Sequence, residues 1–90
     1  MKIVVNRCYG GFSLSQACAN ALGTSRYPDE EIRTDERLIR MVEEDPVAAS
    51  GLCAKLDVAE IPDDATDWML HDYDGLEDIL YVQNGKLHWA

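Results

Sequence analysis

The hydrophobic and polar positions at the start of the chain predict a strand followed by a helix. The β-branched run Ile3–Val5 is typical of a buried strand, which closes at Asn6. After a glycine-containing turn, Ser13–Gln16 matches a capping box, in which a serine precedes a glutamine by three positions. Apolar residues then recur at a spacing of four up to Gly23, so we expect a helix over residues 14–22.

A second helical region is predicted in the middle of the chain. The segment Thr34–Glu36 carries the hydroxyl and acidic side chains that favour a helix N-terminus, and apolar residues follow at helical spacing. Pro46 ends this helix near Glu44, and an aspartate cap before the proline can start one further turn through Ala49. Residues 23–33 are rich in glycine, serine, proline and charge, which predicts a surface connection of variable structure.

From residue 52 onward the pattern alternates between apolar and polar positions, as it does in half-buried strands. Asp74-Gly75 and Asn84-Gly85 are strong signals for two-residue hairpin turns. The strands predicted in this half of the chain are Ala54–Ala59 before Pro62, Trp68–Tyr73, Ile79–Gln83 and Lys86–Trp89. The order β-α-α-β-β-β-β indicates an α+β fold, a single small domain over residues 1–90, with a mainly antiparallel sheet and helices on one face.

The charges are distributed unevenly along the chain. Among 90 residues there are 17 acidic and 8 basic side chains, and the net charge is −9. Residues 57–78, which we call the acidic segment, contain no lysine or arginine, and the rest of the chain is neutral overall. Nine acids lie in the acidic segment: Asp57, Glu60, Asp63, Asp64, Asp67, Asp72, Asp74, Glu77 and Asp78. A charge of this sign disfavours direct binding to nucleic acid or to an anionic membrane.

The cysteines and the first residues indicate a cytoplasmic protein. Cys8, Cys18 and Cys53 are an odd number and form no Cys-x-x-Cys pair, which argues against a disulfide framework and against a structural zinc site. The apolar stretch after Met1 is too short for a signal peptide, and no apolar run approaches the ~20 residues of a membrane helix.

The loop Cys8–Phe12 offers two candidate chemistries, and neither is supported by its spacing. Its two glycines precede a helix, as in anion-binding loops, but the lysine of a phosphate loop and the third glycine of a dinucleotide site are missing. We therefore expect a tight turn in which Tyr9 and Phe12 pack. A Cys8 thiolate activated by His71 or His88 would be needed for a cysteine hydrolase, and an inert thiol is the favoured interpretation.

The aspartates around residue 72 resemble part of a calcium-binding loop. When Gly75 is aligned with the sixth position of an EF-hand loop, Leu70 stands where the first aspartate is needed and Tyr81 where the closing glutamate is needed. The match fails, and the sequence predicts no metal site, no cofactor and no catalytic residue.

The acidic segment is the best candidate for a recognition surface, although a solvated charged face explains it as well. Acids on adjacent short strands and turns would present a line of negative charge that fits a basic site made for a phosphate backbone. The predicted contact residues are Asp63, Asp64, Asp67, Asp72, Asp74, Glu77 and Asp78, with the aromatic residues Tyr73 and Tyr9.

Two parts of the chain together resemble a family of small proteins common in bacteriophage and prophage genomes. They are MKIVVNRCYGGFSLS at residues 1–15, and AKLDVAEIPDD at residues 54–64 with DYDG at residues 72–75. The family has no established activity, so the resemblance implies no catalytic residue. Residues 23–52 and the end after Ile79 depart from the family pattern.

A phage origin implies that this compact, acidic protein acts in the host cytoplasm without being an enzyme. Phage proteins of this size often bind and block a host machine, and anti-CRISPR proteins are the best-known group. The leading hypothesis is an inhibitor that binds a basic surface of a host protein or ribonucleoprotein complex by mimicking phosphate charge. The alternatives are an accessory module that binds another host protein through the Tyr9–Phe12 loop, and a small enzyme that uses Cys8.

Overall fold

The computed structural model describes residues 1–90 and has five strands, three short helices and a 3-10 helix. The elements in chain order are β1 (Lys2–Asn6), α1 (Gln16–Leu22), the 3-10 helix (Glu30–Thr34), α2 (Glu36–Glu44), α3 (Pro46–Ala49), β2 (Leu56–Glu60), β3 (Asp67–Tyr73), β4 (Leu76–Gln83) and β5 (Lys86–Trp89). The predicted α+β class and order of elements are confirmed. None of the helices has the length and apolar content needed to cross a membrane.

The antiparallel pairing is divided between two sheets. β1 pairs with β2 so that Lys2 lies opposite Glu60, and β3, β4 and β5 form a three-stranded meander in chain order. The two hairpin turns of the meander stand at the predicted positions, with Asp74 and Asn84 at positive φ. The stretch between β2 and β3 separates the two sheets along the chain. It contains Pro62, which has no backbone N–H to donate to a neighbouring strand.

The β1–β2 pair lies in the middle of three layers, because alternate residues of a strand point to opposite sides. Val4 and Leu56 pack into one apolar cluster with residues of α1, α2 and α3. Ile3 and Val5 pack into a second cluster, which includes Ile79 of β4. The helices therefore cover one face of the β1–β2 pair, and the three-stranded sheet covers the other.

The start of α1 differs from the predicted capping box. Ser15 is the N-cap, and its hydroxyl accepts a hydrogen bond from the Cys18 amide at 3.1 Å. Ser13 is buried, and its carbonyl accepts from the Gly51 amide at 2.9 Å, next to a β-bridge between Leu14 and Ser50. This tertiary pairing keeps residues 13–14 extended, so the helix begins two residues later than predicted.

The connection between α1 and α2 is more ordered than its composition predicts. Residues Glu30–Thr34 form a 3-10 helix, and its Arg33 is 7% exposed. Asp29 precedes this helix and Asp35 follows it, and Asp35 is also the N-cap of α2. The expectation of a variable surface connection over residues 23–33 is therefore wrong for residues 30–33, which lie in the 3-10 helix with Arg33 held in the interior.

Asp35 supports the start of α2 in a way that depends on pH. Its carboxylate accepts a hydrogen bond from the Arg37 amide at 2.8 Å, and hydrogen bonds from the Arg37 guanidinium hold the pKa of Asp35 below its ordinary value. We expect Asp35→Ala to lower the free energy of unfolding by about 1 kcal/mol, and Asp35→Asn, which can still cap, to lower it less.

The pH dependence has a definite sign. Because the pKa of Asp35 is lower in the folded state, its stabilisation is present above the ordinary aspartate pKa and is lost as the pH falls through the folded value. The difference in unfolding free energy between the wild type and Asp35→Asn should therefore shrink from neutral pH to about pH 3 in urea titrations. An equal difference at both pH values would contradict the ionic contribution.

Candidate functional site

Five of the seven exposed acids of the acidic segment form two groups around β3, and the other two, Asp57 and Glu60, lie on β2. β3 has seven residues and is about 20 Å long, and acids stand at both of its ends. Asp63, Asp64 and Asp67 lie at the start of the strand, whereas Asp72 and Asp74 lie at the hairpin turn. Between the two groups, residues 68–71 of β3 carry no acid.

Most of these acids also make a local polar contact. Asp63 accepts a hydrogen bond from the N-terminal ammonium group at 2.8 Å, which lowers the pKa of its carboxyl group. Asp64 accepts from the Gln83 amide at 2.9 Å. Asp67 and Asp72 accept from nearby backbone amides. All four side chains remain exposed, so these contacts orient the carboxylates without hiding them.

Glu77 is a correction to the predicted contact residues, because it is only 2% exposed. Its two carboxylate oxygens accept hydrogen bonds from the Arg33 guanidinium at 2.6 and 2.9 Å. One of them also accepts from the Asn6 amide at 2.8 Å. A side chain in this position cannot touch a partner, and its charge is compensated within the protein.

The buried ion pair of Arg33 and Glu77 has a structural role at the edge of β1 that no strand covers. The Val4 carbonyl and the Asn6 amide point away from β2, where no strand pairs with them. Arg33 donates to the Val4 carbonyl at 3.3 Å, and Glu77 accepts from the Asn6 amide. The guanidinium also lies 3.5 Å from the centroid of the Phe12 ring. The ion pair thus satisfies backbone groups that would otherwise be unpaired.

The Cys8–Phe12 loop is a packed turn, as expected, but only one of its two aromatic residues is packed. Phe12 contacts the cluster formed with the helices, whereas Tyr9 is 66% exposed, so the expected packing of Tyr9 is wrong. The exposure leaves Tyr9 available to a partner. A side chain at Gly10 would collide with the Cys53 carbonyl, which explains the small residue there.

The structure does not bring the Cys8 thiol together with a histidine base, as a cysteine hydrolase would require. The Cys8 thiol donates to the Cys53 carbonyl at 3.0 Å, and neither histidine hydrogen-bonds to it. The rings of His71 and Trp89 make a T-shaped contact, while His88 stacks on Tyr81. Burial raises the pKa of the Cys18 thiol, which keeps it protonated in the core. Nowhere do three side chains of the metal-ligating types come together.

The three-stranded sheet exposes an apolar surface on the side that faces away from the β1–β2 pair. Trp68, Leu70, Ile79 and Tyr81 belong to the inner cluster, so the alternate residues of each strand point outward. We call these outward residues the outer face; they are Asp67, Met69, His71, Tyr73, Leu76, Asp78, Leu80, Val82, Leu87 and Trp89.

The strand register places the apolar residues of the outer face side by side. Met69 lies opposite Leu80, which lies opposite Trp89, and Val82 lies opposite Leu87. Met69, Leu87 and Trp89 are 56%, 69% and 60% exposed. Tyr73, a predicted contact residue, lies on the same face and is 64% exposed.

The apolar part of the outer face was not identified from the sequence. A signal was present in the unbroken apolar run Ile79–Val82, since a strand covered on both sides has such a run. In the structure the protein covers only one side of β4.

A concavity of about 660 Å³ lies between α3 and β2 and is lined by Val47, Leu52 and Lys55 among others. None of the predicted contact residues lines it, and it contains no nucleophile paired with a base.

The arrangement of side chains on the sheet is suited to binding a macromolecule. Compared with models of protein families, with curated proteins and with solved structures, the chain shows no significant match.

Proposed function

We propose that this protein is a non-enzymatic binding protein that occupies a basic surface of another protein. The observation that carries the proposal is the exposed charge of the acidic segment. Seven of its nine acids are exposed, and no lysine or arginine lies among them in the sequence. Five of the seven lie on the hydrogen-bonded β3–β4 hairpin or its flanking turns, and the other two lie on β2, so the charges have fixed relative positions.

The physical basis is long-range attraction between fixed charges. A surface of one sign raises the rate at which an oppositely charged partner arrives, and it selects against partners of like charge. Nucleic acid and anionic lipid would be repelled by a net charge of −9, whereas a protein surface that binds phosphate would be attracted. Mimicry of phosphate by the two groups of aspartates is the most specific form of the proposal.

The resemblance to phage proteins supports a definite setting for this activity. In that setting the protein is a phage-encoded inhibitor of anti-CRISPR type, and its partner is a host defence protein or ribonucleoprotein in the host cytoplasm. Inhibition then follows from occupation of the nucleic-acid site, and the protein needs no catalytic group of its own.

The test is capture of partners from a bacterial lysate by the wild type and by two charge variants. The first variant replaces five acids of the acidic segment with asparagine, at Asp63, Asp64, Asp67, Asp72 and Asp74. The matched control removes five exposed acids elsewhere with the corresponding amides, at Asp29, Glu30, Glu31, Glu43 and Glu44. We expect the first variant to lose at least about tenfold of the captured partner and the control to retain it.

Salt provides a second readout of the same proposal. Exposed charges are screened over about 10 Å at 0.1 M salt, so capture by the wild type should weaken as salt is added. Equal capture by the wild type and the first variant would refute the proposal, and so would an equal loss in both variants.

A second candidate is binding through the Tyr9–Phe12 loop, and the exposure of Tyr9 favours it. In this case Tyr9→Ala should abolish capture while the five aspartate substitutions leave it unchanged. The leading proposal predicts the opposite result for both variants.

A further inference from the structure

We propose that the outer face is the surface that contacts the partner, and that the partner presents aromatic or aliphatic side chains between lysine and arginine residues. This inference rests on the proposed function, and it adds the location of the contact and the chemistry of the surface that fits it.

The protein covers only one side of the three-stranded sheet. β4 is apolar on both sides at residues 79–82, but only Ile79 and Tyr81 point toward the protein interior. The other two, Leu80 and Val82, lie at the centre of the outer face between Met69, Leu87 and Trp89. Contiguous apolar patches on soluble proteins usually mark interaction sites.

The side chains that the outer face exposes are of the types found in protein interfaces. Tryptophan, tyrosine and methionine are enriched in the centres of protein interfaces, where they fill pockets on the partner. The outer face exposes one of each, at Trp89, Tyr73 and Met69. The Trp89 ring makes a T-shaped contact with the His71 ring, at a centroid distance of 5.4 Å.

Charge complementarity determines the class of occupant of the outer face. Asp67 and Asp78 lie on the outer face itself, and Asp74 stands at the turn that borders it. Asp78 is paired with Arg7 at 2.7 Å, so Asp67 and Asp74 carry most of the uncompensated charge. A second copy of this chain would bring two molecules of charge −9 together, whereas a basic partner would reduce the repulsion.

The experiment selects ligands from a random peptide library, so the partner need not be identified first. The full chain is immobilised, and random twelve-residue peptides displayed on yeast are sorted for binding. We expect the enriched peptides to combine at least one aromatic or large aliphatic residue with two or more lysine or arginine residues. Binding of one synthetic enriched peptide is then measured by titration.

Variants locate the binding surface. Leu87→Ser/Trp89→Ser removes two exposed residues of the outer face, and we expect it to weaken binding of the peptide at least tenfold. Val47→Ser/Leu52→Ser is the matched control, because these residues are 84% and 100% exposed on another surface, and it should bind within twofold of the wild type. Circular dichroism and urea unfolding establish that both variants are folded.

Several results would overturn the inference. Enriched peptides without basic residues, no enrichment at all, or equal binding by the outer-face variant would each do so. Sedimentation that shows a dimer of the wild type and a monomer of Leu87→Ser/Trp89→Ser would make a second copy the occupant.

The lysate experiment distinguishes this failure from a failure of the proposed function. If the aspartate variant loses the partner while Leu87→Ser/Trp89→Ser retains it, the proposed function stands and the inference about the outer face fails. If Leu87→Ser/Trp89→Ser loses the partner while the aspartate variant retains it, the charge-based function fails.

Discussion

Replacement of Glu77 by alanine is expected to lower the free energy of unfolding by about 3–5 kcal/mol. The change leaves the guanidinium of Arg33 buried without its counter-charge, and the amide of Asn6 without its acceptor. Total stability of a domain is typically about 5–15 kcal/mol, so a loss of this magnitude is a large fraction of the total. Urea titration followed by tryptophan fluorescence and by circular dichroism measures the difference.

Two further variants keep this prediction testable if Glu77→Ala does not fold. Glu77→Gln retains an acceptor for the Asn6 amide but not the charge, so its loss should be smaller than that of the alanine variant. Arg33→Met/Glu77→Leu removes both charges and should be more stable than Glu77→Ala. The control is Glu60→Ala, which is exposed on β2 and should change the unfolding free energy by about 0.5 kcal/mol or less. A comparable loss in Glu77→Ala and Glu60→Ala would contradict the structural role of the pair.

Alanine at Gly75 is expected to destabilise the protein by about 3 kcal/mol or more, whereas alanine at Gly85 should cost about 1–2 kcal/mol. Both glycines end two-residue hairpin turns at positive φ, +90° for Gly75 and +72° for Gly85, so the backbone strain of an added Cβ is similar. They differ in their surroundings. A Cβ at Gly75 would lie 2.5 Å from the Gly11 amide nitrogen, while a Cβ at Gly85 has nothing within 4 Å.

The difference between these two variants isolates the contact between the β3–β4 turn and the Tyr9–Gly11 loop. Both unfolding free energies are obtained from urea titrations under the same conditions. Equal losses would mean that the loop yields to the new methyl group at little energetic cost. In that case the close approach of the β3–β4 turn to the Tyr9–Gly11 loop would not be needed for stability. The larger loss expected for alanine at Gly75 would then be absent.

Local signals in the sequence were sufficient for most of the secondary structure. Gly23 ends α1 in the left-handed conformation, and Asp45 with Pro46 starts the extra turn α3. Asp74-Gly75 and Asn84-Gly85 form the two hairpin turns. Each of these features depends on the conformational preferences of two or three adjacent residues, which the sequence states directly.

The predictions of local structure that were wrong concern residues whose conformation is determined by residues far away in the sequence. Ser13 has the sequence of a cap, but pairing of residues 13–15 with residues 49–51 keeps it extended. Arg33 has no local signal, since its partner Glu77 is 44 positions away. Burial of Arg33 thus orders part of the connection between α1 and α2, whose composition predicted a variable surface loop.

For the candidate site, the sequence by itself determined the α+β class, the succession of elements and the concentration of charge in residues 57–78. Composition and short-range periodicity are properties of the chain alone, so folding does not change them. Only the tertiary structure decided which acids face solvent, because Glu77 is drawn inward by Arg33 and by the open edge of β1. It also decided that one side of β4 stays uncovered, since the chain supplies a single layer to pack on a strand that is apolar on both sides.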